Sequence, residues 1–270
     1  AEARDPRREE ALTAARAATG GATAAGDGVV ASEAPTASST GRGDLAASFV
    51  LIFPLLLAYE IGVLFAGRVN GADVVTRSLY SVAGSRSVYL LIHVALAVGF
   101  LVWIRHTRRG GSLRLDVFAP MILEAAIYAF TLGTIVSLIV EHLLGLGLGL
   151  GLGLGLGLGL GLTGSSIISA LGAGVHEELV FRLGLVAGIV LLAEHAGLPR
   201  RVAVTVAIVA SSILFALAHH AGAGGEPWSA HAVAFRCFAG AAFALIFWFR
   251  SLAHAVYAHV LYDLLVAMSR

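Results

Sequence analysis

The sequence has no lysine, one cysteine, two methionines and few charges: 18 arginines and 17 acidic residues make up 13% of its 270 positions. Soluble domains carry about a quarter charged residues, so this scarcity excludes an ordinary water-soluble domain. Hydrophobic side chains account for 58% of the chain, and the mean hydropathy of +0.87 places it in a membrane. The net charge of +1 provides no strong field, so nucleic acid is excluded as a partner and the lipid bilayer is the first one implied. The lone Cys237 lies within an apolar run, which rules out both a disulfide framework and a cysteine-based metal site. The missing lysine fits GC-rich coding and suggests the inner membrane of a bacterial cell.

Residues 1–44 contrast with the rest, being rich in Ala, Ser, Thr and Gly with alternating charge around Arg7, Arg8, Glu9 and Glu10. They read as a disordered tail. From residue 45 the chain reads as a transmembrane helical domain, because its apolar runs approach the ~20 residues that a helix needs to cross the hydrocarbon core. Predicted spans are 46–66, 87–104, 118–141, 165–193, 202–220, 232–249 and 252–268. The runs are long and uninterrupted rather than short and alternating, which favours helices over barrel strands. The fold class predicted is all-α, a polytopic bundle of about seven to eight helices.

Residues 145–162 are a strict Gly-Leu alternation repeated nine times. Period two suits no helical stripe, and each Gly costs a helix roughly 1 kcal/mol relative to Ala. The run therefore reads as a low-complexity insertion without chemistry, although eighteen residues are long enough as a helix to cross a bilayer. Arg105, Arg108, Arg109 and Arg114 form the most basic short loop, which the positive-inside rule places in the cytoplasm together with the tail. If the Gly-Leu run does not cross, Arg200, Arg201 and Arg250 fall on that same side and seven spans result. Glu177 then lies nearer the opposite face.

Ionisable side chains inside spans are costly and so call for an explanation. Three clusters stand out. Val175-His176-Glu177-Glu178-Leu179-Val180-Phe181-Arg182 puts Glu178 and Arg182 four apart, acid first, as an intrahelical pair, and turns Glu177 away from it. Phe215 and His219 share a helix face, and so do His259 and Asp263. Taken singly, a Glu/Arg pair is helix-to-helix glue, His219-His220 is a helix end at the interface, and His259 with Asp263 is a buried hydrogen-bonded pair. Together, on three helices, they favour one shared cavity.

Three intramembrane protease chemistries fit poorly. A zincin needs His-Glu-x-x-His, but His176-Glu177 is followed by Val180 where the second ligand should stand. A presenilin-like site needs two membrane aspartates, and Asp263 is the one aspartate inside a span. Gly164-Ser165-Ser166-Ile167 does not supply the Gly-x-Ser-Gly elbow of a rhomboid-like site.

Glu-Glu-x-x-x-Arg, then Phe-x-x-x-His, then His-x-x-x-Asp, in that order on three membrane helices, resembles the CPBP family of CAAX prenyl proteases and bacteriocin-processing enzymes, also called Abi. The matching residues are Glu177, Glu178 and Arg182; Phe215 and His219; His259 and Asp263. The resemblance covers roughly residues 118–268 and is most specific over 174–182. It implies an intramembrane endopeptidase that hydrolyses a peptide bond of a membrane-associated or lipidated polypeptide. Glu177 with His219 would activate the attacking water, His259 and Asp263 would lie where the oxyanion develops, and Glu178, Arg182 and Phe215 would support them. Where relatives carry Asn, Asp263 cannot donate to an oxyanion unless protonated, so orienting His259 is its second possible role. The family is described as metalloproteases, and Glu177, His219 and His259 would make a three-ligand set for a divalent metal such as Zn. A metal-free, glutamate-activated water is the other option, favoured because only His259 has an evident acceptor, Asp263, for its second ring nitrogen. The competing function is a non-catalytic membrane protein, either a proton or ion relay or an immunity or scaffold protein, using the same buried charges.

Glu60 and Glu124 are expected to hydrogen-bond between helices, and Arg236 to snorkel toward the interface. Glu141 falls at a span edge, His231 and His254 at helix ends with no assigned role, and Trp103, Trp228 and Trp248 near span ends.

Overall fold

The computed structural model describes residues 45–66, 73–107, 114–146, 162–221 and 225–269, all within one compact unit, Thr40–Arg270. The predicted tail and the body of the Gly-Leu run lie outside the described residues. Among the described residues there are helices and no strands. The helices are α1 (Leu45–Ala66), α2 (Asp73–Ala83), α3 (Arg86–Thr107), α4 (Leu115–Leu138), α5 (Gly164–Glu178), α6 (Ala187–His195), α7 (Arg200–His219), α8 (Ala230–Phe249) and α9 (Leu252–Met268). A π-helical turn, Ile139–Leu143, extends α4, and a π-helical segment, Leu179–Val186, joins α5 to α6.

Among the described residues, five helices are long and apolar enough to cross a membrane: α1, α3, Leu115–His142, α7 and α8. The shorter α9 is also apolar. The predicted span 165–193 is one helical rod in three pieces, and its π-helical middle follows immediately after Glu177 and Glu178. α2 matches no predicted span. It has eleven residues of mixed polarity, and a scan for long apolar runs passes over it.

Local sequence explains where the helices begin and end. Thr163 caps α5 through a reciprocal pair with Ser166, Ser229 accepts from the Ala232 amide at the start of α8, and Ser251 accepts from the His254 amide at the start of α9. α6 stops where Gly197 takes φ +86, a left-handed conformation that glycine adopts without steric cost, and the Leu198 amide reaches back to the Ala193 carbonyl.

Lipid is as apolar as leucine, so helices associate in it by close packing, and small residues mark the contacts. A Cβ on Gly174 would come within 2.9 Å of the Val260 backbone nitrogen, one on Gly240 within 3.2 Å of Ser212 Cα, and one on Gly62 within 2.2 Å of the Ile168 side-chain tip. These contacts bring α5 against α9, α8 against α7, and α1 against α5.

The contacts also order the helix ends. Arg200 at the start of α7 pairs with Glu194 of α6 (2.9 Å) and lies over the Trp248 ring near the end of α8. Arg250 pairs with Glu124 in the first half of α4 (2.5 Å), Tyr257 donates to the Leu51 carbonyl of α1, and Phe53 of α1 stacks on Phe100 of α3. One end of the bundle thus gathers the starts of α1, α4, α7 and α9 with the ends of α3, α6 and α8. The opposite end gathers the end of α4 and the start of α5, so the helices flanking the Gly-Leu run meet it at the same end. Arg200, Arg201 and Arg250 accordingly share an end with Arg105 and Arg114.

Candidate active site

Glu177 and Glu178 close α5, and one step of helix points them in different directions. Glu178 is fully buried, with its Oε2 3.1 Å from Arg182 Nε, four residues on across the start of the π-helical segment. The contact is an ion pair off the line of a hydrogen bond. The guanidinium also donates from Nη2 to the Gly240 carbonyl (3.2 Å) and sits 4.5 Å from the Phe215 ring centroid and 5.4 Å from that of Phe243. Aromatic faces are favourable company for a desolvated guanidinium.

The other Glu178 oxygen crosses to α9, where Oε1 is 2.7 Å from His259 Nδ1. Phe243 stacks on the same imidazole at 4.5 Å with 13° between planes. The carboxylate that holds His259 through Nδ1 is therefore Glu178 and not Asp263. Asp263 faces the other ring nitrogen, with Oδ2 3.8 Å from Nε2. Spacing along one helix reveals its own i, i+4 neighbours and misses the acceptor supplied by another helix.

Glu177 turns toward both histidines. Its Oε2 is 3.7 Å from His219 Nε2 and 3.8 Å from His259 Nε2, and this oxygen is buried without a hydrogen-bond partner. His219 Nδ1 lies 2.8 Å from the Phe215 carbonyl. A carbonyl can only accept, so Nδ1 carries the proton and the Nε2 of the neutral ring offers a lone pair toward Glu177. Phe215 lies between Arg182 and His219, with ring centroids 4.6 Å apart in the latter pair. The structure thus brings together Glu177, Glu178, Arg182, Phe215, His219, His259 and Asp263, and adds Phe243 and Gly240, for which the sequence carries no motif.

Both imidazoles have an acceptor at Nδ1, which removes the reason for favouring the metal-free option. Glu177, His219 and His259 fit a divalent cation in the chemistry of their donors. Among the described residues, however, no group of three or more His, Cys, Asp or Glu side chains is arranged to hold a metal ion.

A family model, Type II CAAX prenyl endopeptidase Rce1-like, matches residues 159–265. Over these residues the chain is similar to that protease family. The matched segment spans α5 to most of α9 and contains every residue of the cluster just described, while α1 to α4 lie outside it. No curated protein and no solved structure matches the chain.

A second polar cluster lies beside the first. His176, next to Glu177 in sequence, places Nε2 3.4 Å from Glu60 Oε1 on α1. Glu60 Oε2 accepts from Tyr89 Oη (2.5 Å) and Thr76 Oγ1 (3.1 Å), so α1, α2, α3 and α5 meet on one carboxylate. Glu60 thus bonds between helices as predicted, and Glu124 does so to Arg250 as well as to Tyr128 on its own helix. Near the start of α8, Arg236 pairs with Glu226 in the segment before it. Burial alone would raise the Glu226 carboxyl, but the Arg236 hydrogen bond and charge outweigh it and hold the carboxyl below its ordinary range.

Proposed function

We propose that the protein is an intramembrane endopeptidase that hydrolyses a peptide bond of a membrane-associated or lipidated polypeptide with a water held between Glu177 and His219. The observation carrying this reading is the buried, unbonded Glu177 Oε2 with two imidazole Nε2 atoms at 3.7 and 3.8 Å. A water at that point can donate one hydrogen to Glu177 and the other to His219 Nε2. As its oxygen bonds to the scissile carbonyl carbon, its proton passes to Glu177. Protonated at both nitrogens, His259 donates from Nε2 to the oxyanion, while Glu178 fixes the ring through Nδ1 and Asp263 balances its charge. The C–N bond then breaks, Glu177 returns the proton to the leaving amine, and a carboxylic acid and an amine result. A divalent cation held by Glu177, His219 and His259 would supply a water of lowered pKa and polarise the carbonyl.

A relay would string these side chains along a path, whereas here they converge on one oxygen, which supports hydrolysis. The test compares protein termini in membranes carrying the wild-type chain or Glu177→Gln. Termini that appear with the wild type alone are expected and would name the substrate. Identical profiles from equally inserted and equally abundant proteins would overturn the proposal.

A further inference from the structure

One face of α8 walls the site. Phe243 stacks on His259, the Gly240 carbonyl accepts from Arg182, and a Cβ on Gly240 would stand 3.2 Å from the Phe215 ring. Arg236 comes four residues before Gly240 and seven before Phe243, so it continues the same stripe by one turn toward the start of α8. The segment before α8 meets it there. The Glu226 amide donates to the His219 carbonyl (2.8 Å), His220 Nδ1 donates to the Glu226 carbonyl (2.9 Å), and Trp228 stacks on the His220 ring at 4.6 Å. Gly225 permits this approach, since a Cβ on it would come within 2.7 Å of the His220 carbonyl oxygen. Glu226 is thereby pinned to the histidine that faces Glu177, and the charges of Glu226 and Arg236 are close enough to act on His219.

Glu226 occupies one edge of the Arg236 guanidinium. Nη2 and Nε donate to different oxygens of its carboxylate, Nε at 3.4 Å. A guanidinium has five N–H donors in one plane, so the other edge, made of Nη1 and the second hydrogen of Nη2, remains. Among the described residues no group accepts from that edge, and Arg236 is only partly buried. The other cation of the cluster, Arg182, is fully buried behind Phe215. Two parallel N–H groups match the two oxygens of a carboxylate.

We propose that Arg236 determines which polypeptides are cleaved: its free edge binds a substrate carboxylate, either a C-terminus or an acidic side chain close to the scissile bond, while Glu226 holds the guanidinium beside His219. This rests on the endopeptidase reading. Arg236 binds and takes no part in the bond cleavage at Glu177.

The test uses peptides copied from the segments that the comparison of termini identifies. Each is made with a free or an amidated C-terminus, and with its acidic side chains intact or replaced by Asn and Gln. The full chain is assayed in neutral detergent as wild type, as Arg236→Gln, and as Arg236→Gln with Glu226→Gln, which leaves no carboxylate without its cation. For the wild type, removing the recognised carboxylate should raise KM about 10- to 100-fold, the range of a hydrogen bond to a charged group, with kcat little changed. Whichever change does so, amidation or side-chain replacement, names the carboxylate. Both variants should show the raised KM on the carboxylate peptide and no further rise on its neutral counterpart, whereas a merely structural loss would affect both peptides alike. A wild type indifferent to peptide charge, variants that still discriminate, or a wild-type KM set by added anionic lipid instead of the peptide would overturn the proposal. Discrimination that fails while Glu177-dependent cleavage persists sinks this inference alone. Termini that do not depend on Glu177 sink the endopeptidase reading and this inference with it.

Discussion

Two carboxylates, Glu60 of α1 and Glu177 of α5, meet at the same stretch of α5, and their surroundings differ. Glu60 is saturated: Tyr89 and Thr76 donate to Oε2 while His176 faces Oε1. Glu177 keeps an oxygen with no hydrogen-bond partner between two imidazoles that stand just beyond hydrogen-bonding distance. A buried carboxylate whose acceptors are filled fastens helices together, whereas one left wanting has capacity for a reacting molecule. Residue type is the same in the two clusters, and Glu177 is the more exposed side chain (28% against 6%), so occupancy of the oxygens together with access distinguishes glue from chemistry.

The sharpest way to break the comparison is to neutralise each carboxylate. Glu177→Gln should lower proteolysis by about 10²- to 10⁴-fold, the range of a general base, with thermal unfolding in detergent little changed. Glu60→Gln should do the opposite, costing on the order of 1.5–3 kcal/mol for a lost charge-assisted bond while Glu177-dependent termini persist. If Glu60→Gln abolishes cleavage in a protein of unchanged stability, the division between the clusters is wrong.

Arg182→Met tests the wall behind the site. It leaves Glu178 buried without its cation, and breaking such a pair costs about 3–5 kcal/mol, to be read as a fall in unfolding midpoint or in folded yield. A smaller effect distinguishes two glycines. Gly174→Ala drives a Cβ against the backbone of Val260 and should cost about 1–3 kcal/mol while parting Glu178 from His259. Gly62→Ala meets the Ile168 side chain and no backbone, and that side chain can turn aside, so its cleavage should match wild type. Smallest is a pH effect at the loop before α8. Because Arg236 holds the Glu226 carboxyl low, the folded form is favoured above the carboxyl's unfolded pKa and loses that support as pH falls through the lower, folded value. The unfolding midpoint should decline on acidification in this range, and Glu226→Gln should flatten the decline.

Much of this was legible in the sequence and some was not, for definite reasons. Seven apolar runs predicted seven helical stretches, because lipid demands an internally bonded backbone wherever side chains are apolar. α2 escaped because an eleven-residue helix of mixed polarity leaves no long run. Spacing predicted the Glu178–Arg182 pair and the nearness of His259 to Asp263, since both are i, i+4 neighbours. It could not show that Glu178 reaches His259, that Phe243 stacks on that ring, or that Glu60 gathers Thr76, Tyr89 and His176, because each contact joins residues distant in the chain. Neither π-helical stretch has a signature in residue type.

The longer of the two stretches, Leu179–Val186, has a mechanical consequence. The Ala187 amide bonds back five residues to Arg182, so this part of the rod holds surplus chain relative to an α-helix. Upstream, α5 is keyed to α9 through Gly174 and Glu178; downstream, α6 packs on α7. The stretch works as a phase adapter between two couplings whose angular settings need not agree. Deleting one of its residues would favour ordinary winding and change the angular setting of the downstream half, so a single-codon loss here would strain the coupling between the two ends of a helix whose every remaining side chain is native.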